Sequence, residues 1–240
     1  MPIPLRRPFE IRRNQPLTAD CFALELAPAD GQPLFLFQAG QWVLLHLPNA
    51  DGTTWRCAFS IANGTQPRTD SLELGLKISG EFTQHIRSCA VGDLVQVQGP
   101  YGIFTYQPGG STLVCLAAGI GIVPLRSMIL EALAVQPSRR IELLYTNKDG
   151  EHVPYREEFI ALMNVHPQFH VRFFSTQVNA QDGDLPRRKS IDDLRSVLAD
   201  STNIHIVTCG PNAYMAEMKQ ACLALGVDVK RNFRQESFGS

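Results

Sequence analysis

Through the first hundred positions apolar residues alternate with polar ones. Cys21–Leu26, Leu72–Lys77, Leu94–Gln98 and parts of Trp42–Leu47 repeat at every second residue, the period of a strand with one buried face. Gly, Pro, Asn and Asp cluster between these runs, so the pattern predicts short antiparallel strands forming a β-barrel, with one short helix near Phe82–Cys89. Beyond position 110 the pattern changes. Thr112–Ala118, Ile141–Asn147, His170–Ser175 and Ile204–Cys209 are mostly apolar runs, as expected of strands buried on both faces. Helical patterns separate them, at Pro124–Ala134, Tyr155–Met163, Ile191–Leu198 and Pro211–Leu225. That alternation predicts a doubly wound parallel sheet. Pro124 and Pro211 suit a first helical turn and Gly226 a helix stop. Gln107–Ser111 reads as a hinge, which divides the chain into a barrel domain over 1–108 and an α/β domain over 111–240.

Composition narrows the function classes. The 240 residues are 44% apolar with a formal net charge of −1, which offers no general attraction to nucleic acid or anionic lipid. The longest apolar stretch, Leu113–Leu125, contains two glycines and is too short to span a bilayer. No apolar signal segment follows Met1, and the six cysteines form no CxxC pair. The expectation is therefore a cytoplasmic protein with reduced core thiols and no metal or iron–sulfur site.

Gly119-Ile120-Gly121-Ile122-Val123-Pro124 follows a predicted strand and opens a predicted helix. Glycines there let the backbone approach a pyrophosphate, and the free N–H groups of the helix start attract its charge. A glycine-rich turn that binds nothing fits the same residues. Proline stands in place of a third glycine, and no acidic residue is clearly placed some twenty positions on, so a plain dinucleotide dehydrogenase is disfavoured. Four further segments stand in order along the chain: Ala58-Phe59-Ser60, Gly80-Glu81-Phe82-Thr83, Cys209-Gly210-Pro211 and Glu236-Ser237-Phe238.

Taken in order, these segments resemble the motifs of the ferredoxin–NADP reductase superfamily, a flavin-binding barrel followed by an NAD(P)-binding domain. The resemblance covers nearly the whole chain, and Gly99-Pro100-Tyr101-Gly102 resembles the loop closing the barrel. It implies bound FAD, with FMN the alternative, and NADPH or NADH as the nucleotide. Phe59 would stack on the flavin, Ser60 would lie near its N5 atom, and Ile61, Ala62 and Asn63 would continue that strand. Gly80, Phe82 and Thr83 would receive the flavin phosphates. Gly119, Gly121, Ile122, Pro124, Gly210 and Pro211 would serve the nicotinamide nucleotide. Cys209, Glu236 and Phe238 would complete the catalytic corner with Ser60. The local alternatives are a core aromatic for Phe59, a buried strand-end thiol for Cys209, and a loose terminal aromatic for Phe238.

One residue departs from the family pattern. The arginine that pairs with a flavin phosphate should fall at position 57, where this chain has Cys57; the arginine is Arg56. Neighbouring strand residues face opposite ways, so Arg56 reaches the phosphate only through a β-bulge at Cys57 or Ala58. Otherwise it is a solvated strand charge, and about 1.5–3 kcal/mol of flavin binding is lost. The expected activity is flavin-dependent transfer of hydride from NAD(P)H and of electrons to a separate ferredoxin, flavodoxin or oxygenase component, because no cluster cysteines precede the end at Ser240. The alternatives are an NAD(P)H reductase of free flavin and a non-catalytic nucleotide-binding subunit. Lys148, Thr176 and the Arg187-Arg188-Lys189 cluster lean the nucleotide toward NADPH, although a solvated charge run explains the cluster equally well.

Overall fold

The computed structural model describes residues 4–48, 53–177, 184–199 and 203–237. β1 (Arg6–Pro16), β2 (Cys21–Pro28), β3 (Trp42–Pro48), β4 (Thr54–Ser60), β5 (Leu72–Lys77) and β6 (Leu94–Tyr101) form one antiparallel sheet, in the order β4-β3-β6-β1-β2-β5. Its two ends meet: Ile61 bridges Leu74, and the Ala62 N–H donates to the Glu73 carbonyl at 2.7 Å. The sheet thus curls into the expected barrel. Residues two apart fill it, among them Phe22, Leu24 and Leu26 on β2 and Leu72, Leu74 and Leu76 on β5, all fully buried. β1 was not predicted; Phe9 and Ile11 point inward but are flanked by charged residues that mask the period. The short helix α1 (Glu81–Ser88) lies one residue ahead of its expected position.

The second half is a five-stranded parallel sheet. β7 (Thr112–Ala118), β8 (Arg140–Asn147), β9 (Phe169–Ser175), β10 (Ile204–Cys209) and β11 (Phe233–Glu236) lie in the order β11-β10-β7-β8-β9. Helices α2 (Ile122–Val135), α3 (Arg156–Val165), α4 (Ile191–Leu198) and α5 (Asn212–Ala224), with the short α6 (Val229–Asn232), complete the domain. On β7, Leu113, Cys115 and Ala117 pack with Leu125 and Ile129 of α2 and Phe159 of α3. Val114 and Leu116 pack on the other face with Leu194 of α4 and Met218 of α5. Both faces are covered, which explains the unbroken apolar runs. The edge strand β11 was missed because Phe233 is its one large apolar residue.

Between β7 and β10 the connections diverge to opposite faces, so a crevice opens at their C-terminal ends. Two glycines let the two turns there interlock. A side chain on Gly121 would overlap the Cys209 carbonyl, and one on Gly210 would meet Ala118 Cβ at 2.9 Å. Gly226 takes φ 79° and ends α5 as expected: its N–H donates to Leu223, and the Val227 N–H donates to Cys222. The segment read as a hinge is fastened to the turn after α2. Arg139 donates to the Gln107 carbonyl at 2.9 Å, and the Gly109 N–H donates to the Gln136 side chain at 3.0 Å.

Gly121→Ala is expected to destabilise the protein by about 1–3 kcal/mol, the usual cost of overpacking. A thermal melt measures it; an unchanged midpoint would mean that the two turns separate freely.

Candidate active site

Two clefts draw residues from the strand ends around that crevice. The first, of about 530 Å³, is lined by Trp42, Cys57, Ala58, Phe59 and Ser60 of the barrel, Ser79 and Thr83 at the start of α1, and Glu236 and Ser237 at the end of β11. Ser60 ends β4 and pairs across the hairpin with Trp42, whose ring packs on Tyr101 at 4.9 Å. Gly102 (φ 100°) must lack a side chain, because a Cβ would meet the Trp42 ring at 2.9 Å and lie 3.9 Å from Glu236 Oε1. Phe59 stacks on Phe82 with centroids 5.8 Å apart. The parallel pairing of β10 with β11 sets Cys209 beside Glu236. Ser60, Cys209 and Glu236, more than 170 positions apart at the extremes, thus meet at one corner.

Protonation divides this corner. Glu236 Oε2 is buried with no hydrogen-bond partner, and burial pushes its carboxyl up to about 7. Near neutral pH it exists both as a proton donor and as an acceptor. Cys209 is fully buried in the core beneath the turn. Burial, and then the Glu236 charge, raise its thiol well above the usual range, so it stays neutral. It acts here as a packing and contact residue, with no thiolate to attack.

Several expected contacts are placed differently. β3 and β4 pair from Trp42–Ser60 to Pro48–Thr54 without a register shift. No bulge turns Arg56: it sits exposed opposite His46, outside the cleft lining. Among the described residues lining this cleft there is no lysine, arginine or histidine. The Thr83 hydroxyl, expected as a phosphate donor, accepts from the Ser79 and Gly80 N–H groups and donates to the Gly80 carbonyl. The first-turn N–H groups of α1 remain as donors beside the cleft. Ile61 and Ala62 are fully buried. Asn63 spends its amide on Thr69, Ser71 and Glu73, organising the loop 63–73. Ile122 and Pro124 lie buried in the first turn of α2. Phe238 lies outside the described residues. Trp42, Ser79 and Ser237 were missed as cleft residues; the position of Trp42 in the hairpin was the one available signal.

The second cleft, of about 340 Å³, opens at the ends of β7, β8 and β9. It is lined by Ala118, Gly119, Thr146, Asn147, Lys148, Thr176, Arg188, Lys189, Pro211, Ala213, Tyr214, Glu217 and Met218. Gly119 (φ 53°) faces open space. Asn147 is buried, and neither end of its amide has a partner; the same holds for the Thr146 hydroxyl. Orphaned buried polar atoms at the mouth of a glycine turn suit a polar ligand. Lys189 is buried and donates to the Tyr214 hydroxyl at 2.6 Å. Burial pulls its ammonium down to about 7, against the upward pull of Glu217 and Asp193.

Two family models match consecutive parts of the chain: the oxidoreductase FAD-binding domain over residues 8–106 and the oxidoreductase NAD-binding domain over residues 115–220. The chain belongs to the ferredoxin–NADP reductase superfamily. It is similar to ferredoxin–NADP reductase B of Sorangium cellulosum, 35% identical over 160 residues, which cover 65% of this chain and 64% of that one. It is similar also to the reductase component of propane 2-monooxygenase of Mycolicibacterium smegmatis, 30% identical over 191 residues, covering 77% and 52%. The FAD/NAD-binding domain of Vibrio cholerae nitric oxide dioxygenase shares the fold, with a TM-score of 0.85, 22% identity and coverage of 98% and 99%. The chain spans about half to two thirds of the length of the curated relatives that it matches. Superfamily members are FAD- and NAD(P)-binding oxidoreductases, and both clefts fit such groups: an aromatic wall with Ser60 and an unpartnered carboxyl in one, a glycine turn with an unpartnered amide in the other. No helix among the described residues is long and apolar enough to cross a membrane.

Glu236 retains its proton to about pH 7 when folded, against an ordinary value of 4.5. Between these values the folded state binds more protons than the unfolded one, so stability falls as pH rises and levels off above 7. Glu236→Gln is expected to remove that fall, seen as a smaller drop in denaturation midpoint between pH 5 and 8. Equal slopes for variant and wild type would show that the carboxyl titrates normally.

Proposed function

We propose that the chain moves hydride between NADPH and a bound FAD and passes electrons to a separate acceptor of the ferredoxin, flavodoxin or oxygenase-component type. The observation that carries this reading is that Ser60 and Glu236 line one cleft and Cys209 pairs in register beside Glu236. The names of the two sequence relatives support an electron-accepting partner. When bound, the flavin supplies hydride acceptance and one-electron release. The protein's share is to position and to exclude water. Phe59 and Trp42 wall the cleft, with Tyr101 packed on the Trp42 ring, and Ser60 offers a hydroxyl in the lining. Glu236 holds or yields a proton within the physiological range, and Cys209 packs against the turn without reacting.

Preference for NADPH is supported by the second cleft. Lys148, Arg188, Lys189 and Thr176 surround it, and the tip of β8 carries Asn147 and Lys148 where an NAD-specific site has a carboxylate for the ribose hydroxyl. Glu217 is the acidic residue of the lining. Lys189→Ala is expected to raise the NADPH KM at least fivefold with little effect on NADH. Lys189 loses its charge as pH rises through about 7, so the NADPH KM of the wild type should climb between pH 6 and 8 while that of the variant stays flat. Parallel pH profiles would remove Lys189 from the nucleotide site.

A second reading, reduction of exchanging free flavin, is favoured by the cation-free first cleft and the outward Arg56. The visible spectrum before and after gel filtration separates the two. Retained flavin with NADPH-dependent ferricyanide reduction supports the bound cofactor. Colourless protein that oxidises NADPH only with added flavin supports the second reading. Oxidation of neither NADPH nor NADH in either case would overturn both and leave a non-catalytic subunit.

A further inference from the structure

Helix α2 starts at the nucleotide turn, and its first turns are bolted to the barrel at the residues following Ser60. The Arg126 guanidinium is buried and donates to the Ala62 carbonyl at 2.8 Å. Its other nitrogens form a bidentate pair with Glu158 of α3 at 2.7 and 2.8 Å; Glu73 of β5 lies at 3.3 Å, and the Tyr155 ring lies under the guanidinium at 4.4 Å. Ser127, fully buried, donates its hydroxyl to the Asn63 carbonyl at 2.7 Å and accepts from the Gly40 N–H at 3.3 Å. One turn later Glu131 accepts from the Thr65 N–H and hydroxyl, both at 2.7 Å. The helix and the barrel segment are therefore matched residue by residue, 126 to 62, 127 to 63 and 131 to 65.

The very start of the same helix is equally constrained. Gly121 immediately precedes α2 and lies against the Cys209 carbonyl. A single rigid helix start thus touches the nucleotide turn, the strand end carrying Cys209 and the barrel segment that follows Ser60. We infer that Arg126 and Ser127 are positioning residues for hydride transfer, setting the separation between the nucleotide turn and Ser60 through the Ala62 and Asn63 carbonyls. This inference rests on the proposed function. Sliding α2 along the barrel by a fraction of a residue would strip the Ala62 and Asn63 carbonyls and the buried Ser127 hydroxyl of their partners and pull the guanidinium off its barrel contacts, so the fold holds one setting. Hydride transfer is sensitive to that setting because displacement of about 1 Å between reacting groups can cost about a hundredfold in rate. Neither side chain lines the first cleft; Arg126 lines a separate groove with Glu73 and Tyr155.

The test uses the full chain with flavin present, reconstituted if need be. Stopped-flow reduction by NADPH, NADP+ titration and the long-wavelength charge-transfer absorbance of the nucleotide complex are compared for wild type, Ser127→Ala, Arg126→Met and Arg126→Lys. The expected result is a tenfold or greater loss of the reduction rate in Ser127→Ala and Arg126→Met, a weakened charge-transfer band and an NADP+ Kd within twofold of wild type. Arg126→Lys, which can still reach the Ala62 carbonyl, should recover part of the rate. Should the Arg126 variants fail to fold, Ser127→Ala, the loss of one oxygen atom, decides alone. A lower melting temperature with unchanged rate and band would overturn the inference and leave a purely structural clasp. Wild type that reduces no flavin would overturn the proposed function and this inference together, whereas active wild type with indifferent variants overturns the inference alone.

Discussion

The space a side chain would take on Gly121 is filled by the carbonyl of Cys209. This contact ties the start of α2 to the end of β10, the two places where a doubly wound sheet opens a crevice. Because β11 pairs in register with β10, the same contact locates Glu236, the last residue of that strand. Because α2 is bonded to the Ala62 and Asn63 carbonyls, it also locates Ser60 in the barrel. The corner is assembled by backbone contact and buried polar bonds, and these place the side chains of Ser60, Cys209 and Glu236.

The electrostatics of the corner follow from how thoroughly it is enclosed. Burial acts on the carboxyl of Glu236 and the thiol of Cys209 in the same direction, favouring the neutral form. Among the described residues, no cation lines the first cleft to oppose it. In the second cleft burial acts on Lys189 in the opposite chemical sense and again favours neutrality. Two groups, one in each cleft, are therefore poised near neutral pH, while the Arg126 guanidinium, paired with Glu158 and Glu73, stays charged.

Much of the architecture was legible in the chain. Period-two runs marked most barrel strands and unbroken apolar runs marked the parallel ones, because burial of one face or of two leaves different periodicities. β1 and β11 escaped, since each carries too few apolar residues for a period to show. The corner was legible as an ordered set of motifs resembling the family's, which also exposed the displacement of Arg56; strand alternation then gave its outward direction. What alternation could not show was whether a bulge would correct it; the continuous β3–β4 register answers that. Asn63 and Thr83 carried the right chemistry for ligand contact, yet their side chains are consumed by neighbouring backbone, a competition that residue type does not reveal.

The fold class, the two-part organisation and the glycine turns were set by local physics: side-chain periodicity, proline and glycine geometry, and the spacing of a few motifs. These depend on residues within a few positions of each other. The choice among equally local alternatives was made by contacts between distant segments. Lys189 belongs to a charge run that reads as solvated, and becomes buried because Tyr214, 25 positions on, comes to lie against it. Arg126 reads as an ordinary helix charge, and becomes a clasp because Ala62, 64 positions away, presents its carbonyl. Such pairings rest on the packing of whole elements, where burial changes what a charged or polar group must find as a partner, and no local pattern carries that information.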